Sequence, residues 1–177
     1  QAGIEFKVEN GKEITTQCTI EYHPVYGLSV NVVDADPSYA LGEIEKKRRQ
    51  TLLKLEKEGL FDTNKQIPIP LLLKRIGVVT SKGSAGFQDF SKTLAGFRYP
   101  VHVTVADSRM QGHRTEATVL AALDSLEKSD IDLLVILRGG GSKLDLGDLD
   151  NELIARRIAN CKLPVWTAIG HETDESV

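Results

Sequence analysis

The chain has 177 residues, 41% of them apolar and 27% charged, the profile of a globular protein with enough apolar side chain for one ordinary core. A formal net charge of −3 argues against a protein that coats nucleic acid in bulk, which would be basic, but is compatible with an enzyme carrying a local basic track. No apolar stretch reaches the roughly 18 residues of a membrane span, and no basic-then-apolar leader follows Gln1, so neither a membrane nor a secretory address is expected for these residues. Cys18 and Cys161 lie far apart with no CxxC spacing. They are expected to be reduced thiols, which fits a cytoplasmic protein.

Residues 3–33 read as β structure. Ile4 to Val8 alternates apolar and polar, Asn10-Gly11 is a hairpin turn signal, and 15–22 and 28–33 are further strands separated by His23-Pro24-Val25-Tyr26-Gly27. Three strands without a second layer make a poor core, so this segment is expected to be the end of a small β domain. Ser38 is a candidate N-cap for a helix over 39–58, closed by Gly59. Nine Lys/Arg against five Asp/Glu over 42–75 suit a solvated helix face. Residues 60–73 hold Pro68 and Pro70 and form a connector, in which Leu71-Leu72-Leu73 is expected to pack.

From Arg75 onward the pattern becomes regular β-α alternation. Strands are expected over 76–80, 101–106, 131–137 and 165–169, with helices over 86–97, 115–128 and 152–160 between them. The run Ile131 to Leu137 is nearly all apolar, as a strand covered on both faces would be, and Trp166 is expected in the core. The fold class is therefore α/β: a parallel, Rossmann-like sheet with right-handed crossovers and helices on both faces, preceded by a partial antiparallel segment and a linker helix. The division expected is 1–37, 38–73 and 74–177.

Ligands of open parallel sheets bind beyond the carboxyl ends of the strands. Three motifs fall there. Arg138-Gly139-Gly140-Gly141-Ser142 follows the most apolar strand. Its glycines permit close approach of a ligand to the main chain, its amides can form an anion nest, and Arg138 can fork onto a phosphate. The alternative is a turn with a surface arginine. The run is neither a Walker loop nor a dinucleotide fingerprint, and Ser142 lacks the nucleophile-elbow context. Gly170-His171-Glu172-Thr173-Asp174 follows the last strand. If a helix starts here, His171 and Asp174 share a face, as a general base with an orienting carboxylate, as metal ligands, or simply as part of a capped helix start. Thr80-Ser81-Lys82-Gly83-Ser84, after the first strand, either binds phosphate or caps its helix. Asp89, His113, His23 and His102 carry no constellation on spacing alone.

Taken in order, Arg75 to Ser81, Asp89, Gln111-Gly112, Arg138 to Ser142, Asp145-Leu146 and Gly170 to Asp174 resemble the large subunit of exodeoxyribonuclease VII, as does Glu58-Gly59-Leu60-Phe61-Asp62 ahead of them. The resemblance covers roughly residues 38–177, and the β segment before it is similar by placement to the end of that family's OB-type domain. It departs at Leu149-Asp150-Asn151-Glu152, where the family usually has Phe-Asn-Asp-Glu, and at Gly147, where an aromatic is common. The resemblance implies a bacterial nuclease that degrades single-stranded DNA from both ends to oligonucleotides, assembled with a small helical subunit through a carboxyl-terminal region that this chain is expected to lack. It implies catalytic roles for Asp89, Arg138, His171 and Asp174. It implies substrate contacts from Thr80, Ser81, Gly139, Gly140, Gly141, Ser142 and Asp145. The metal ligands are unknown and the cofactor stays open, with magnesium the candidate. Two other functions compete: a non-catalytic phosphate- or nucleotide-binding module using the same glycine loop, and a metal-dependent phosphohydrolase of a small substrate.

Overall fold

Alternating apolar and polar residues on either side of a short turn give the first element pair. In the computed structural model, which describes residues 15–36, 38–140, 146–170 and 176–177, strands β1 (Thr15–His23) and β2 (Gly27–Asp36) form an antiparallel hairpin. Its register pairs Cys18 with Val32, Ile20 with Val30 and Tyr22 with Leu28, so one face is apolar along its length and the other carries Thr19, Glu21, Ser29 and Asn31. A register shift between Gln17 and Cys18 marks a bulge. Ile20, Tyr22, Leu28 and Val30 are all exposed. The expected strand over 4–8 and the Asn10-Gly11 turn lie outside the described residues.

Helix α1 (Ser38–Lys57) follows, and the chain divides within it into two compact units, residues 1–46 and 47–177. The remainder of the second unit runs through a single turn of 3-10 helix (Asn64–Gln66), β3 (Arg75–Thr80), α2 (Ala85–Ala95), β4 (His102–Asp107), α3 (Thr115–Glu127), β5 (Leu133–Arg138), α4 (Glu152–Ala159) and β6 (Val165–Ile169). The four strands form one parallel sheet in the order β4-β3-β5-β6. The chain therefore moves outward from β3 to β4, returns across β3 to β5, and continues outward to β6. Right-handed crossovers then require α2 on one face and α3 and α4 on the other.

The two cores follow that division. Ile76, Val78, Leu133, Val135 and Leu137 pack with Phe87 and Phe90 of α2 on one face. Val79, Leu134 and Ile136 pack with Val119, Leu123 and Leu126 of α3 and Ile154 of α4 on the other. Every residue of β5 is buried, which is why that strand is the most continuously apolar in the sequence.

Ion pairs and one amide hold the periphery. Arg156 bridges Glu58 and Glu152, and Arg157 bridges Asp124 and Glu127. The Asn64 amide donates to the carbonyls of Ile158 and Leu163 at 3.1 and 3.0 Å and accepts from the Val165 amide at 2.9 Å, tying the connector to edge strand β6. Two expectations need correcting. Leu71 and Leu72 are exposed and only Leu73 packs, because the chain there runs over the surface before entering β3. Trp166 is half exposed, because β6 is an edge strand among the described residues.

Candidate active site at the strand switch point

The reversal of strand order opens a crevice between the carboxyl ends of β3 and β5, the place where open α/β sheets bind ligands. A cavity of about 450 Å³ occupies it. Ser81, Ser84, Ala85, Gly86 and Asp89 line one side, Arg138, Gly139 and Gly140 another, and Arg109, Met110 and Gln111, from the loop after β4, the third.

The β3–α2 turn is built by its own hydrogen bonds. The Ser84 amide donates to the Ser81 carbonyl at 2.9 Å, and the Ser84 hydroxyl accepts from the Phe87 amide at 3.2 Å, so Ser84 is the N-cap of α2. Asp107 at the end of β4 accepts from the Lys82 amide at 3.0 Å. Ala85 and Gly86 are the first two residues of the helix. Their amides have no partner within it, and both residues line the cavity, so the positive end of the α2 dipole faces the crevice. Thr80 is fully buried beneath this turn, its hydroxyl 3.5 Å from that of Ser84, and it does not line the cavity.

Arg138 ends β5 and is only 8% exposed. Its Nη2 donates to Gln111 Oε1 at 3.5 Å, and its Nη1 is buried with no hydrogen-bond partner among the described residues. A buried guanidinium with an unused donor is costly unless something fills the gap. Its carbonyl accepts from the Gly170 amide at 3.1 Å. Gly139 follows with its backbone against Gly86 of α2. Asp89, about one turn into α2, has its carboxylate 3.7 Å from Lys92 and largely in solvent.

Of the residues singled out in the sequence, the crevice thus gathers Ser81, Asp89, Arg138, Gly139 and Gly140, with Thr80 beneath it. Gly141, Ser142, Asp145, His171 and Asp174 lie outside the described residues. Sequence reasoning overlooked Gly86 and Arg109 and gave Gln111 no role, whereas Ser84 lies in the turn it read as either binding phosphate or capping the helix. The signal for Arg109 and Gln111 was their place just past the second strand, on the same sheet edge as the glycine run. Two arginines, a helix N-terminus and glycine backbone make a receptor for an anion. A larger cavity of about 590 Å³ lies elsewhere, between α1, α4 and β6; its lining is mostly apolar, with Leu52, Leu55, Phe61 and Ile158, and has Arg48, Lys65, Thr167 and Ser176 as its polar side chains. Asp89 is the sole carboxylate lining the crevice among the described residues, and no group of three or more His, Cys, Asp or Glu there is arranged to hold a metal. That set does not by itself fit a magnesium ion. No helix among the described residues is long and apolar enough to cross a membrane.

A family model described as exonuclease VII, large subunit, matches residues 60–177. The exodeoxyribonuclease 7 large subunit of Campylobacter fetus subsp. fetus is 34% identical over 172 residues, which cover 97% of this chain and 44% of the relative. That of Moorella thermoacetica is 34% identical over 175 residues, covering 97% and 43%, and that of Anaplasma marginale (strain Florida) 36% over 179, covering 98% and 44%. The chain thus spans less than half the length of these curated relatives. With the family model matched over most of its length, the chain belongs to the exonuclease VII large-subunit family.

Proposed function

We propose that this chain is the catalytic part of a nuclease that hydrolyses phosphodiester bonds in single-stranded DNA, working from both ends to release oligonucleotides. The observation that carries the reading is Arg138: a buried cation whose Nη1 has no partner among the described residues, set at the strand switch point beside a glycine backbone and a helix N-terminus. Family membership supports the reaction class, and the relatives named as large subunits support assembly with a small subunit. Residues 74–177 are the Rossmann-like catalytic domain, 38–73 a linker helix and connector, and 1–37 the end of an OB-type domain. The strand order β4-β3-β5-β6 supports the first, and the amphipathic β1–β2 hairpin supports the last. OB-type surfaces bind single strands by stacking and charge.

In this scheme Arg138 and the amides of Gly139 to Gly141 hold the scissile phosphate, and the first amides of α2 face its other oxygens. Ser81, Ser142 and Asp145 contact the flanking strand, and Thr80 supports the turn that carries Ser81. As negative charge builds on the non-bridging oxygens, donors already fixed in place stabilise it without reorganising, each contributing on the order of 3 kcal/mol. Gly170 is bonded to the Arg138 carbonyl, so the chain enters the His171 motif from beside the phosphate site. His171 activates the attacking water or protonates the leaving oxygen, with Asp174 orienting it. Asp89 positions water or serves as the second acid-base group. No step is routed through a metal.

The test is cleavage of end-labelled single-stranded and duplex DNA by the full-length protein with its small subunit, with and without chelator, beside a His171→Ala control. Cleavage of single strands that disappears in the control is expected, and the chelator lane decides the metal. Tight binding of single strands with no cleavage in any lane would replace the nuclease with a binding module.

A further inference from the structure

Resting on the reading of the crevice as a phosphate site, we propose that Gln111 is a positioning residue for Arg138, holding the guanidinium through a neutral oxygen so that its full charge stays available to DNA. The protein shows what it does with arginines that serve only structure. Arg75 is held by Asp130 and Asp132, Arg156 by Glu58 and Glu152, and Arg157 by Asp124 and Glu127. Each has its charge met by carboxylates. Arg138 is more buried than any of these, yet among the described residues its one partner is an amide, at 3.5 Å, and its Nη1 has none.

A guanidinium only donates, so the Gln111 oxygen must be the atom that faces it. One long neutral hydrogen bond restrains the direction of Arg138 and leaves its Nη1 without a partner among the described residues. A carboxylate with the same reach would close a charge-assisted pair and turn Nη1 and Nη2 away from the substrate. Gln111 is itself exposed and lines the same cavity, so it can carry a substitution without disturbing the core.

The experiment measures binding of a fluorescent oligothymidylate across a salt series, and kcat and KM for its cleavage. It uses the full-length wild type, Gln111→Glu, Gln111→Met, Arg138→Met and the double variant Gln111→Glu/Arg138→Met. Gln111→Glu is expected to weaken binding at least 10-fold, and to flatten the slope of log affinity against log salt by about 0.7, one phosphate contact on a single strand. Gln111→Met frees Arg138 without neutralising it, so its salt slope stays at the wild-type value while kcat falls several-fold. The double variant is expected to bind within 2-fold of Arg138→Met, because the introduced carboxylate has no guanidinium left to neutralise. The inference is overturned if Gln111→Glu binds within 2-fold of wild type, or if its full penalty persists without Arg138, which would mean simple repulsion of DNA. Wild-type binding and cleavage by Arg138→Met would instead overturn the phosphate-site reading itself, and the inference with it.

Discussion

The backbones of Gly86 and Gly139 touch: a Cβ on Gly86 would stand 2.8 Å from the Gly139 nitrogen and 2.9 Å from its Cα. Helix α2 and the glycine loop after β5 are thereby pressed together, and that contact sets the width of the crevice between them. Both contacting atoms are backbone, so no side-chain rotation relieves a collision. A Gly86→Ala substitution gains up to about 1 kcal/mol of helix propensity but must move the loop or the helix, at a cost of about 1–3 kcal/mol. The expected result is a modest loss of thermal stability with a fall in single-strand cleavage of 10-fold or more. Unchanged kcat/KM would show that the crevice width does not matter to the reaction.

Gly77 supplies the contrast. A Cβ there would meet Leu134 Cδ2 at 2.7 Å, Ile131 Cγ2 at 3.3 Å and Leu126 Cδ1 at 3.3 Å, all in the core under the sheet rather than at its carboxyl edge. Gly77→Ala overpacks that core, with an expected cost of about 1–3 kcal/mol. Calorimetry should record a Tm lower by roughly 2–12 °C, with kcat/KM at 25 °C within 3-fold of wild type.

Asp132 anchors the opposite, amino-terminal edge of the sheet. It accepts from Arg75 Nη2 at 2.8 Å and from the amides of Lys74 and Arg75 at 2.9 and 2.8 Å. The Arg75 guanidinium and these two amides pull its pKa down from 3.8 to about 2. A depressed carboxylate contributes stability that is present above its unfolded pKa and lost as pH falls through the folded one. In paired urea unfolding curves, the advantage of wild type over Asp132→Asn should be constant from about pH 5 to 7 and shrink between about pH 4 and 2. An advantage that grew on acidification would contradict the assignment.

Asn64 binds the connector to β6 through three hydrogen bonds to backbone groups. Asn64→Leu keeps the γ-branched shape of the side chain, with bulkier methyl groups, and strands two carbonyls and the Val165 amide. The expected cost is about 2–4 kcal/mol, with faster hydrogen exchange at Val165. Protection at Val165 equal to wild type would show that the strand edge holds without the amide.

Much of the fold is legible because each element carries its own local signal. The apolar run ending at Leu137, the Ser84 cap and the helical spacing of Val119, Leu123 and Leu126 are properties of neighbouring residues, and the elements appear where those signals lie. Arg138 and the glycines after it are visible for the same reason. The strand order is not local. Nothing in the sequence around Trp166 says that β6 has, among the described residues, a neighbour on one side alone, so a tryptophan in an apolar run was expected in the core and stands half exposed. The Gly86–Gly139 contact joins residues 53 positions apart, and the approach of Gln111 to Arg138 spans 27. Both depend on the crossover from β4 back past β3 to β5, which brings three loops to one crevice. Asn64 was hidden in a segment read as connector because its partners are backbone atoms about 100 residues away.

The central claim rests on Arg138 as the group that meets the phosphate, and the most direct measurement is kcat/KM of full-length Arg138→Lys on end-labelled single-stranded DNA. Lysine keeps the positive charge and loses the planar fork. A fall of roughly 100-fold or more, with Tm little changed, is the expected result. Cleavage at the wild-type rate would contradict the account.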